Sequence, residues 1–360
     1  MYKSYAVKDF RGFKELHLDN LGRINLIAGK NNVGKTALLE SLFIYCGAYS
    51  PQLILNLDIL RGLVNIKVEL GQWTEPPWNS IFRNFDTTNT VELTGINSQG
   101  RQRSITLRMV KNQNELFKLG QSITRSLKSN IISLSNESAH VLEFQHCENK
   151  DIKKYYLILD KSGIHPIPIP PPPPKQAFLL PARMPSTAVQ EEAELYGKLE
   201  VQGLSGEIVK VLKNIDSRLE KISMVVNAGQ PIIHGDIGQN RLMPLPLMGD
   251  GMTRLASYVL RIGNAPGGVV LLDEVENGIH HTALKSVWKA VGEVAERFDT
   301  QVFATTHSLE CIREAHEAFN GKKPDFFKIH RLERIGEEIK ATTYDKDTIE
   351  AAFEMGVEVR

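Results

Sequence analysis

Cysteine is scarce in this sequence. Only three of the 360 residues are cysteines, at positions 46, 147 and 311, and their spacing matches neither a metal-ligand pattern nor a disulfide framework. Chains without disulfides are typical of reducing compartments. The cysteine content therefore argues against a disulfide-stabilised secreted scaffold and predicts a cytoplasmic protein.

Long apolar runs are missing as well. No stretch approaches the roughly 20 apolar residues that a membrane-spanning helix requires. The chain opens with Met1-Tyr2-Lys3-Ser4 and continues into a strand-like segment, without the apolar core of a signal peptide. These features predict a soluble chain with no membrane partner.

An excess of charge of either sign is also lacking. The 43 Lys and Arg residues and 42 Asp and Glu residues give a formal net charge of +1. A nucleic-acid-binding domain is usually markedly basic, so binding of DNA or RNA is possible through a local strip but is not indicated by charge. The apolar fraction of 42% and the length allow one large core.

The most informative segment that is present spans residues 29–36, Gly-Lys-Asn-Asn-Val-Gly-Lys-Thr. It fits G-x-x-x-x-G-K-[ST], the pattern of a phosphate-binding loop. The run 24–28 before it predicts a buried strand and residues 37–43 after it predict a helix, a context in which backbone N–H groups bind phosphate. Lys35 would neutralise phosphate oxygens and Thr36 would offer its hydroxyl to Mg²⁺. The sequence therefore predicts binding of ATP or GTP, with the contacts Gly29, Asn31, Asn32, Val33, Gly34, Lys35, Thr36 and Ala37.

A second segment supplies two adjacent carboxylates. Residues 267–272 predict a buried parallel strand, and Asp273 and Glu274 follow it directly. Many strands end in acidic turns, so the pattern alone is weak. Beside a phosphate-binding loop, however, the first carboxylate is placed to hold Mg²⁺ and the second to orient or deprotonate an attacking water.

A third segment, residues 300–308, predicts another buried strand that ends in Thr-Thr-His-Ser. A single histidine is more often structural than functional. The strand follows Asp273 and Glu274 in the chain and its tip is polar, which favours His307 as a sensor of the γ-phosphate.

The spacing of these segments limits the architecture. Thr36 and Asp273 lie 237 positions apart, so a large insertion separates the two halves of the site. That arrangement is typical of ABC-type ATPase heads, in which a Gly-containing signature loop opens the helix before the carboxylate strand. Leu204-Ser205-Gly206-Glu207 lies too far upstream, whereas Met248-Gly249-Asp250-Gly251-Met252 directly precedes a predicted helix at 253–262.

Other patterns outline the rest of the chain. Two strands around Gly12, together with the strand before the phosphate-binding loop, predict a small antiparallel sheet, and a hairpin is expected around 97–100. Residues 119–138 predict a loop, and the proline tract 170–174 predicts a stiff connector rather than a ligand for a proline-binding domain. Residues 187–226 predict helices. The chain is divided as one domain, 1–360, with an N-terminal lobe 1–90, a β-rich insertion 91–186, a helical lobe 187–265 and a C-terminal part 266–360.

Four segments together carry a family resemblance: residues 31–36, 249–252, 273–280 and 305–308. They resemble the OLD/RecF-like branch of ABC-type ATPases, a group classed with AAA-type ATP-binding proteins. Residues 9–13, Asp-Phe-Arg-Gly-Phe, also resemble the start of SMC and RecF heads. The resemblance covers nearly the whole chain. It implies an α/β P-loop NTPase of the ABC head type, with a mixed core sheet, an antiparallel β subdomain and a helical lobe.

The resemblance also implies roles for individual residues. Lys35 and Thr36 become phosphate and Mg²⁺ ligands, with Asp273 as the second Mg²⁺ contact. The other implied roles are Glu274 as catalytic base, His307 as switch histidine, Gly249 and Gly251 as a signature that acts on the nucleotide of a second subunit, Arg11 as a nucleotide contact and Arg183 near the expected lobe-connecting loop. The chain departs from the family at Val275, where proline is frequent.

The family mechanism implies ATP-driven dimerisation, in which two heads enclose two nucleotides and hydrolysis separates them. We therefore expect a slow ATPase that forms a homodimer or larger homo-oligomer. The resemblance favours the regulatory subunit of a bacterial anti-phage defence system. Because no acidic cluster is left for a fused nuclease before Arg360, which is expected to be the natural terminus, a separate effector protein such as a nuclease is expected.

Four alternatives remain open, one of which is an ATPase that acts alone. A RecF/SMC-like DNA-repair ATPase would need a basic groove, and neither the charge nor long coiled-coil arms support it. A transporter subunit is disfavoured by the signature and by the long insertion. A GTPase would need an Asn/Thr-Lys-x-Asp element, which is not found in a suitable place.

Overall fold

A computed structural model of the protein describes residues 1–47, 49–61, 76–127, 140–160, 163–183 and 188–355. The strands within these ranges are β1 (Tyr2–Phe10), β2 (Phe13–Leu18), β3 (Ile24–Ala28), β4 (Val91–Asn97), β5 (Gln102–Val110), β6 (His140–Glu148), β7 (Asp151–Asp160), β8 (Gly163–Ile167), β9 (Ala177–Leu180), β10 (Lys221–Asn227), β11 (Gln230–Asp236), β12 (Met243–Pro244), β13 (Val269–Leu272), β14 (Gln301–Thr306), β15 (Phe327–Ile335) and β16 (Glu338–Tyr344).

The helices within the same ranges are α1 (Lys35–Cys46), α2 (Leu53–Leu60), α3 (Gln113–Leu127), α4 (Ala188–Val201), α5 (Ser205–Leu212), α6 (Asp250–Gly263), α7 (His281–Arg297), α8 (Leu309–Phe319) and α9 (Lys346–Glu354). In the part of the chain that is described, no helix combines the length and the apolarity needed to cross a bilayer.

The core of the fold is a six-stranded sheet in the order β16-β15-β3-β14-β13-β9. Five of its strands run parallel, and only the edge strand β16 is antiparallel. Every residue of β3, β13 and β14 is buried, as expected for parallel strands covered on both faces. Because parallel strands end at the same edge, the residues that follow β3, β13, β14 and β9 are brought together there.

A second sheet is antiparallel and has the order β2-β1-β4-β5-β6-β7-β8. The predicted hairpin around 97–100 is confirmed, since β4 and β5 pair through Ile96 and Gln102. The inclusion of β3 in an antiparallel sheet is wrong, because β3 pairs in parallel with β14 and β15. Burial of every residue of β3 fits a strand in the middle of the core sheet, whereas β1 and β2 each include exposed residues.

The phosphate-loop helix α1 is fastened to this antiparallel sheet by a buried arginine. The guanidinium of Arg103 lies between the rings of Tyr2 and Tyr45, 5.4 Å and 4.2 Å from their centroids. It donates hydrogen bonds to the Tyr2 hydroxyl at 2.7 Å and to the backbone carbonyl of Tyr45 at 2.6 Å. The last turn of α1 is thereby capped by a cation, which also complements the helix dipole.

The helical lobe contains α4, α5 and α6 together with a three-stranded sheet, β10-β11-β12. The prediction of helix as far as residue 226 is therefore wrong beyond Leu212. Ile222 belongs to β10 and pairs with Gly235, although it packs into the same apolar cluster as Ile208 and Val211. The β-branched residues in 222–226 favour a strand, and the turn at Ala228-Gly229 closes the hairpin.

Two further predictions concern connecting segments. The loop expected over 119–138 is wrong as far as residue 127, because α3 occupies Gln113–Leu127, and 128–139 lie outside the described residues. The proline tract 170–174 lies between β8 and β9 without helix or strand. The segment boundaries drawn from the sequence stay predictions, and β1 and β2 share a sheet with strands beyond residue 90.

A buried histidine in the core predicts how stability depends on pH. His330 is fully buried, with Nδ1 3.0 Å from Thr343 Oγ1 and Nε2 3.2 Å from Asn25 Oδ1. Burial, aided by Lys328, lowers the pKa of His330 from 6.5 to about 3. Below pH 6.5 the unfolded chain binds a proton that the folded chain excludes, so the free energy of unfolding falls as the pH drops from 6.5 towards 3.

We expect this loss to reach about 1.4 kcal/mol per pH unit for the one group. Urea unfolding at about pH 7.5 and about pH 5 checks it, with His330→Gln as the matched variant without a titrating ring. The difference in stability between the two pH values should be smaller in the variant. Equal differences in both proteins would exclude His330 as the source.

Candidate nucleotide-binding site

The phosphate-binding loop connects β3 to α1, as the sequence predicts. Two of its glycines have backbone angles that other residues rarely adopt, with φ of 151° at Gly29 and 97° at Gly34. A Cβ atom at Gly29 would lie 2.7 Å from the carbonyl oxygen of Leu332, and one at Gly34 would lie 2.8 Å from Cζ of Phe13. Both positions therefore require glycine. Asn31 and Asn32 are exposed at the tip of the loop, whereas Val33 is buried beneath it, and Thr36 and Ala37 open the helix.

The side chain of Lys35 folds back over this loop. Its Nζ donates to the carbonyl oxygens of Gly29 at 2.7 Å and Lys30 at 2.9 Å. Burial lowers the pKa of Lys35, and the carboxylates of Glu274, Glu276 and Asp273 oppose that effect. The lysine therefore lies in the field of the acidic groups that follow β13, and the two halves of the predicted site meet in space.

The contact between the two halves is direct. The Thr36 hydroxyl lies 3.1 Å and 3.0 Å from the two carboxylate oxygens of Asp273, and the Thr305 hydroxyl donates to Oδ1 of Asp273 at 2.7 Å. Burial raises the pKa of Asp273, while the hydrogen bonds from Thr305 and Thr36 counteract it. A buried carboxylate beside a hydroxyl is a donor set of hard oxygens that suits Mg²⁺, so Thr36 and Asp273 fit the metal role expected of them.

Glu274 follows in a constrained backbone conformation. Its φ is 48°, its N–H donates to the Thr305 hydroxyl at 2.8 Å, and its Oε2 accepts from Nδ2 of Asn277 at 2.6 Å. Sequence reasoning missed both Thr305 and Asn277. The polar tip Thr-Thr-His-Ser was a signal for the first, whereas nothing in the sequence pattern pointed to the second.

His307 follows the end of β14 at the same edge of the sheet. Its side chain is 44% exposed, and its Nδ1 lies 3.2 Å from Oε1 of Glu276. The structure therefore brings Lys35, Thr36, Asp273, Glu274 and His307 to the shared carboxyl edge of β3, β13 and β14.

Residues 248–252, the predicted signature loop, lie at the start of α6. Gly249 precedes the helix with φ of 101°, and among the described residues a Cβ atom at Gly249 or at Gly251 would meet no atom within 4 Å. On the inner side, a Cβ at Gly278 would contact Cβ of Asp250 at 3.5 Å, so the loop lies against the turn that follows Glu274. The other candidate, residues 204–207, begins the short helix α5.

Arg11 forms an ion pair with a residue of α1. Its guanidinium lies 2.5 Å from a carboxylate oxygen of Glu40, a nearly buried residue of α1 that also pairs with Arg61. Its predicted contact with the nucleotide stays a prediction, and Glu40 is a neighbour that the sequence did not indicate. Arg183 lies in the loop after β9, where the preceding Ala182 carbonyl accepts a hydrogen bond from Arg254 of α6.

This combination defines the class of the protein. A phosphate-binding loop in a parallel core sheet, a carboxylate strand two positions away in that sheet, an antiparallel β subdomain and a helical lobe are the parts of a P-loop NTPase of the ABC-ATPase head type. The chain belongs to the family described as "AAA domain, putative AbiEii toxin, Type IV TA system", whose sequence model matches residues 24–313.

Several known proteins are similar to it. An ATP/GTP phosphatase of Helicobacter pylori is 24% identical over 98% of each chain. An uncharacterised protein of Methanocaldococcus jannaschii is 50% identical over 64 residues, 18% of this chain and 29% of the relative. Among solved structures, an Smc head bound to the C-winged helix domain of ScpA has a TM-score of 0.49 at 11% identity, covering 97% of this chain and 99% of that one. The SMC head domain from Thermotoga maritima has a TM-score of 0.44 at 12% identity, covering 95% and 98%.

Proposed function

We propose that the protein is a cytoplasmic enzyme that hydrolyses ATP and acts as an ATP-gated dimerisation switch. The observation that carries this proposal is the convergence of Lys35, Thr36, Asp273, Glu274 and His307 at one edge of the core sheet. The similarity to an ATP/GTP phosphatase over almost the whole length of both chains supports hydrolysis of a nucleoside triphosphate.

The site residues divide the chemistry between them. Lys35 and the N–H groups of the loop bind the phosphates. Thr36 and Asp273 would hold Mg²⁺, which would neutralise negative charge on the phosphate oxygens. Glu274 accepts a proton from the attacking water as its oxygen bonds to the γ-phosphorus. The bond from phosphorus to the bridging oxygen breaks, and ADP and inorganic phosphate are released. His307 donates a hydrogen bond to a γ-phosphate oxygen.

The dimer in this proposal is suggested by the space in front of the predicted signature loop. The space in front of Gly249 and Gly251 lets the N–H groups of this loop approach a phosphate held by a partner copy. A nucleotide bound between the two copies would stabilise the closed dimer specifically, and its hydrolysis would remove that stabilisation.

Light scattering on the Glu274→Gln variant tests the switch. With Mg-ATP we expect the measured mass to double, or a pre-existing assembly to change its shape, whereas without nucleotide or with ADP the mass should stay at the starting value. A Gly249→Trp substitution on the same background should block this change because the ring fills the space in front of the loop. Binding of ATP without any change in mass or shape would contradict the switch.

We further propose that the dimer regulates a separate effector, such as a nuclease, in a bacterial anti-phage defence system. The family description, which refers to a toxin–antitoxin system, supports a two-component arrangement. The Glu274→Gln protein, locked with ATP, is the bait for this effector in lysate of the source organism. Retention of one nuclease with ATP but not with ADP is the expected result, and equal retention in both states would contradict regulation by nucleotide.

A DNA-repair ATPase is the second candidate. The observation in its favour is a match to the RecF protein of Clostridioides difficile, 46% identical over 41 residues, 11% of each chain. A cleft of about 280 Å³ beside the phosphate loop is lined by three basic side chains, Lys30, Arg331 and Arg334, and by one carboxylate, Glu333, which pairs with Arg331. Tight binding of double-stranded DNA that weakens steeply with salt would favour this function over the first.

A further inference from the structure

One carboxylate at the site has no role in the chemistry above. Glu276 lies two residues after Glu274, and its Oε1 accepts hydrogen bonds from the Thr306 hydroxyl at 2.8 Å and from the backbone N–H of His307 at 3.0 Å. The same oxygen lies 3.2 Å from Nδ1 of the His307 ring, within ion-pair distance but outside hydrogen-bond geometry. A single oxygen therefore contacts three atoms of the segment that carries His307.

The burial of Glu276 lowers the stability of the folded state. Its side chain is only 11% exposed, and among the described residues its second oxygen, Oε2, is buried without a hydrogen-bond partner. Burying an incompletely paired carboxylate destabilises a fold. An amide or an apolar side chain would cost less here if the residue served only to fill space.

The turn that carries Glu276 is itself fixed. The Val275 N–H donates to the carbonyl oxygen of Thr305 at 3.0 Å, and the Val275 carbonyl accepts from the Tyr258 hydroxyl of α6 at 3.0 Å. Gly278, at the end of the turn, packs against the start of α6. The carboxylate of Glu276 therefore has a defined position, set by the end of β14 on one side and by α6 on the other.

The His307 ring has its Nδ1 edge against Glu276. This Nδ1 atom is buried, so the 44% of the side chain that is exposed lies on its other atoms, among which is Nε2. We propose that Glu276 is a positioning residue that orients the His307 ring so that Nε2 faces the γ-phosphate. This rests on the role proposed for His307, and Glu276 itself touches neither nucleotide nor water in the reaction.

A purely structural role makes a different prediction. Glu276→Gln retains a carbonyl oxygen that can accept from Thr306 and from the His307 N–H, but it removes the negative charge beside the ring. A residue that only fastens the backbone would tolerate this change. If the charge orients the ring, kcat should fall by about 10- to 100-fold while KM for ATP stays within about twofold, since misplaced catalytic groups lose rate rather than binding.

The experiment compares Glu276→Gln, His307→Asn and the double variant with the native protein. The exposed Glu220→Gln is the matched control and should keep the native kcat. Residues that act as one unit lose their effects non-additively, so the double variant should be no slower than His307→Asn alone. Losses that multiply, or a native kcat in Glu276→Gln, would overturn the positioning role while leaving the proposed function intact.

A spectroscopic measurement separates orientation from folding. In long-range ring ¹⁵N spectra, the His307 signals are those that disappear in His307→Asn, and they should shift in Glu276→Gln but not in Glu220→Gln. Unchanged His307 signals would overturn the proposal even if kcat fell. If His307→Asn hydrolyses ATP at the native rate, the γ-phosphate role of His307 itself is wrong, and that part of the proposed function fails first.

Discussion

Replacing Glu274 with glutamine is expected to lower kcat for ATP hydrolysis by about 10²- to 10⁴-fold, the usual contribution of a general base. The affinity for ATP should change little, because the carboxylate acts on the attacking water and not on the phosphates. Asn277 already donates to Oε2 of Glu274, so an amide at position 274 can keep the same place through its carbonyl oxygen. The variant thus differs from the native protein chiefly in its ability to accept a proton.

Single-turnover hydrolysis of radiolabelled ATP, read together with the affinity for a fluorescent ATP analogue, measures both quantities. Glu220→Gln, an exposed carboxylate of the helical lobe, controls for the loss of one negative charge. If Glu274→Gln kept more than about a tenth of the native kcat, the base would have to be another group at the same edge.

Substitution of Lys35 by alanine should have the second-largest effect, on binding rather than on chemistry. The ammonium group is nearly buried, and in the described structure it is satisfied only by the carbonyls of Gly29 and Lys30, which it can exchange for phosphate oxygens. Losing a desolvated charge pair costs about 2–5 kcal/mol. That corresponds to an affinity for ATP lower by about 30- to 5,000-fold.

Isothermal titration with Mg-ATP measures this loss. Lys213→Ala, an exposed lysine at the end of α5, removes the same charge elsewhere and should leave the affinity unchanged. Circular dichroism must show that Lys35→Ala remains folded, because two hydrogen bonds within the loop disappear with the side chain. A folded variant that still binds ATP at the native affinity would contradict the assignment of the phosphate site.

The sequence predicted those parts of the site that depend on local pattern. The loop at 29–36 has glycine at its two positions of positive φ that the pattern G-x-x-x-x-G-K-[ST] specifies. β13 and β14 are apolar runs followed by polar residues, so the sequence indicated that these polar residues lie at one edge of a parallel sheet. Residues such as Asn277 and Thr305 could not be predicted in their roles, because their hydrogen bonds depend on a turn whose geometry no periodic pattern encodes.

The errors have a physical cause as well. The apolar residues at 219 and 222 continue the helical spacing of α5, but they reach the same core from the connection after that helix and from β10, respectively. Burial alone does not distinguish a helix from a strand, because an inward-facing residue of either can contact the same apolar cluster. The nucleotide contact of Arg11, which was inferred by resemblance, stays a prediction; its ion pair with Glu40, 29 positions away, was not indicated by any sequence pattern.

The strand order of the core sheet has a consequence for synthesis on the ribosome. β3 ends at Ala28, yet its neighbours β14 and β15 begin only at Gln301 and Phe327. At about 5–20 residues per second, the nascent β3 waits roughly 15–60 s for its partners. The antiparallel sheet is complete earlier, by residue 167, so it is available to shelter α1 in the meantime. The proposed nucleotide site can therefore assemble only after β14 and His307 have been made.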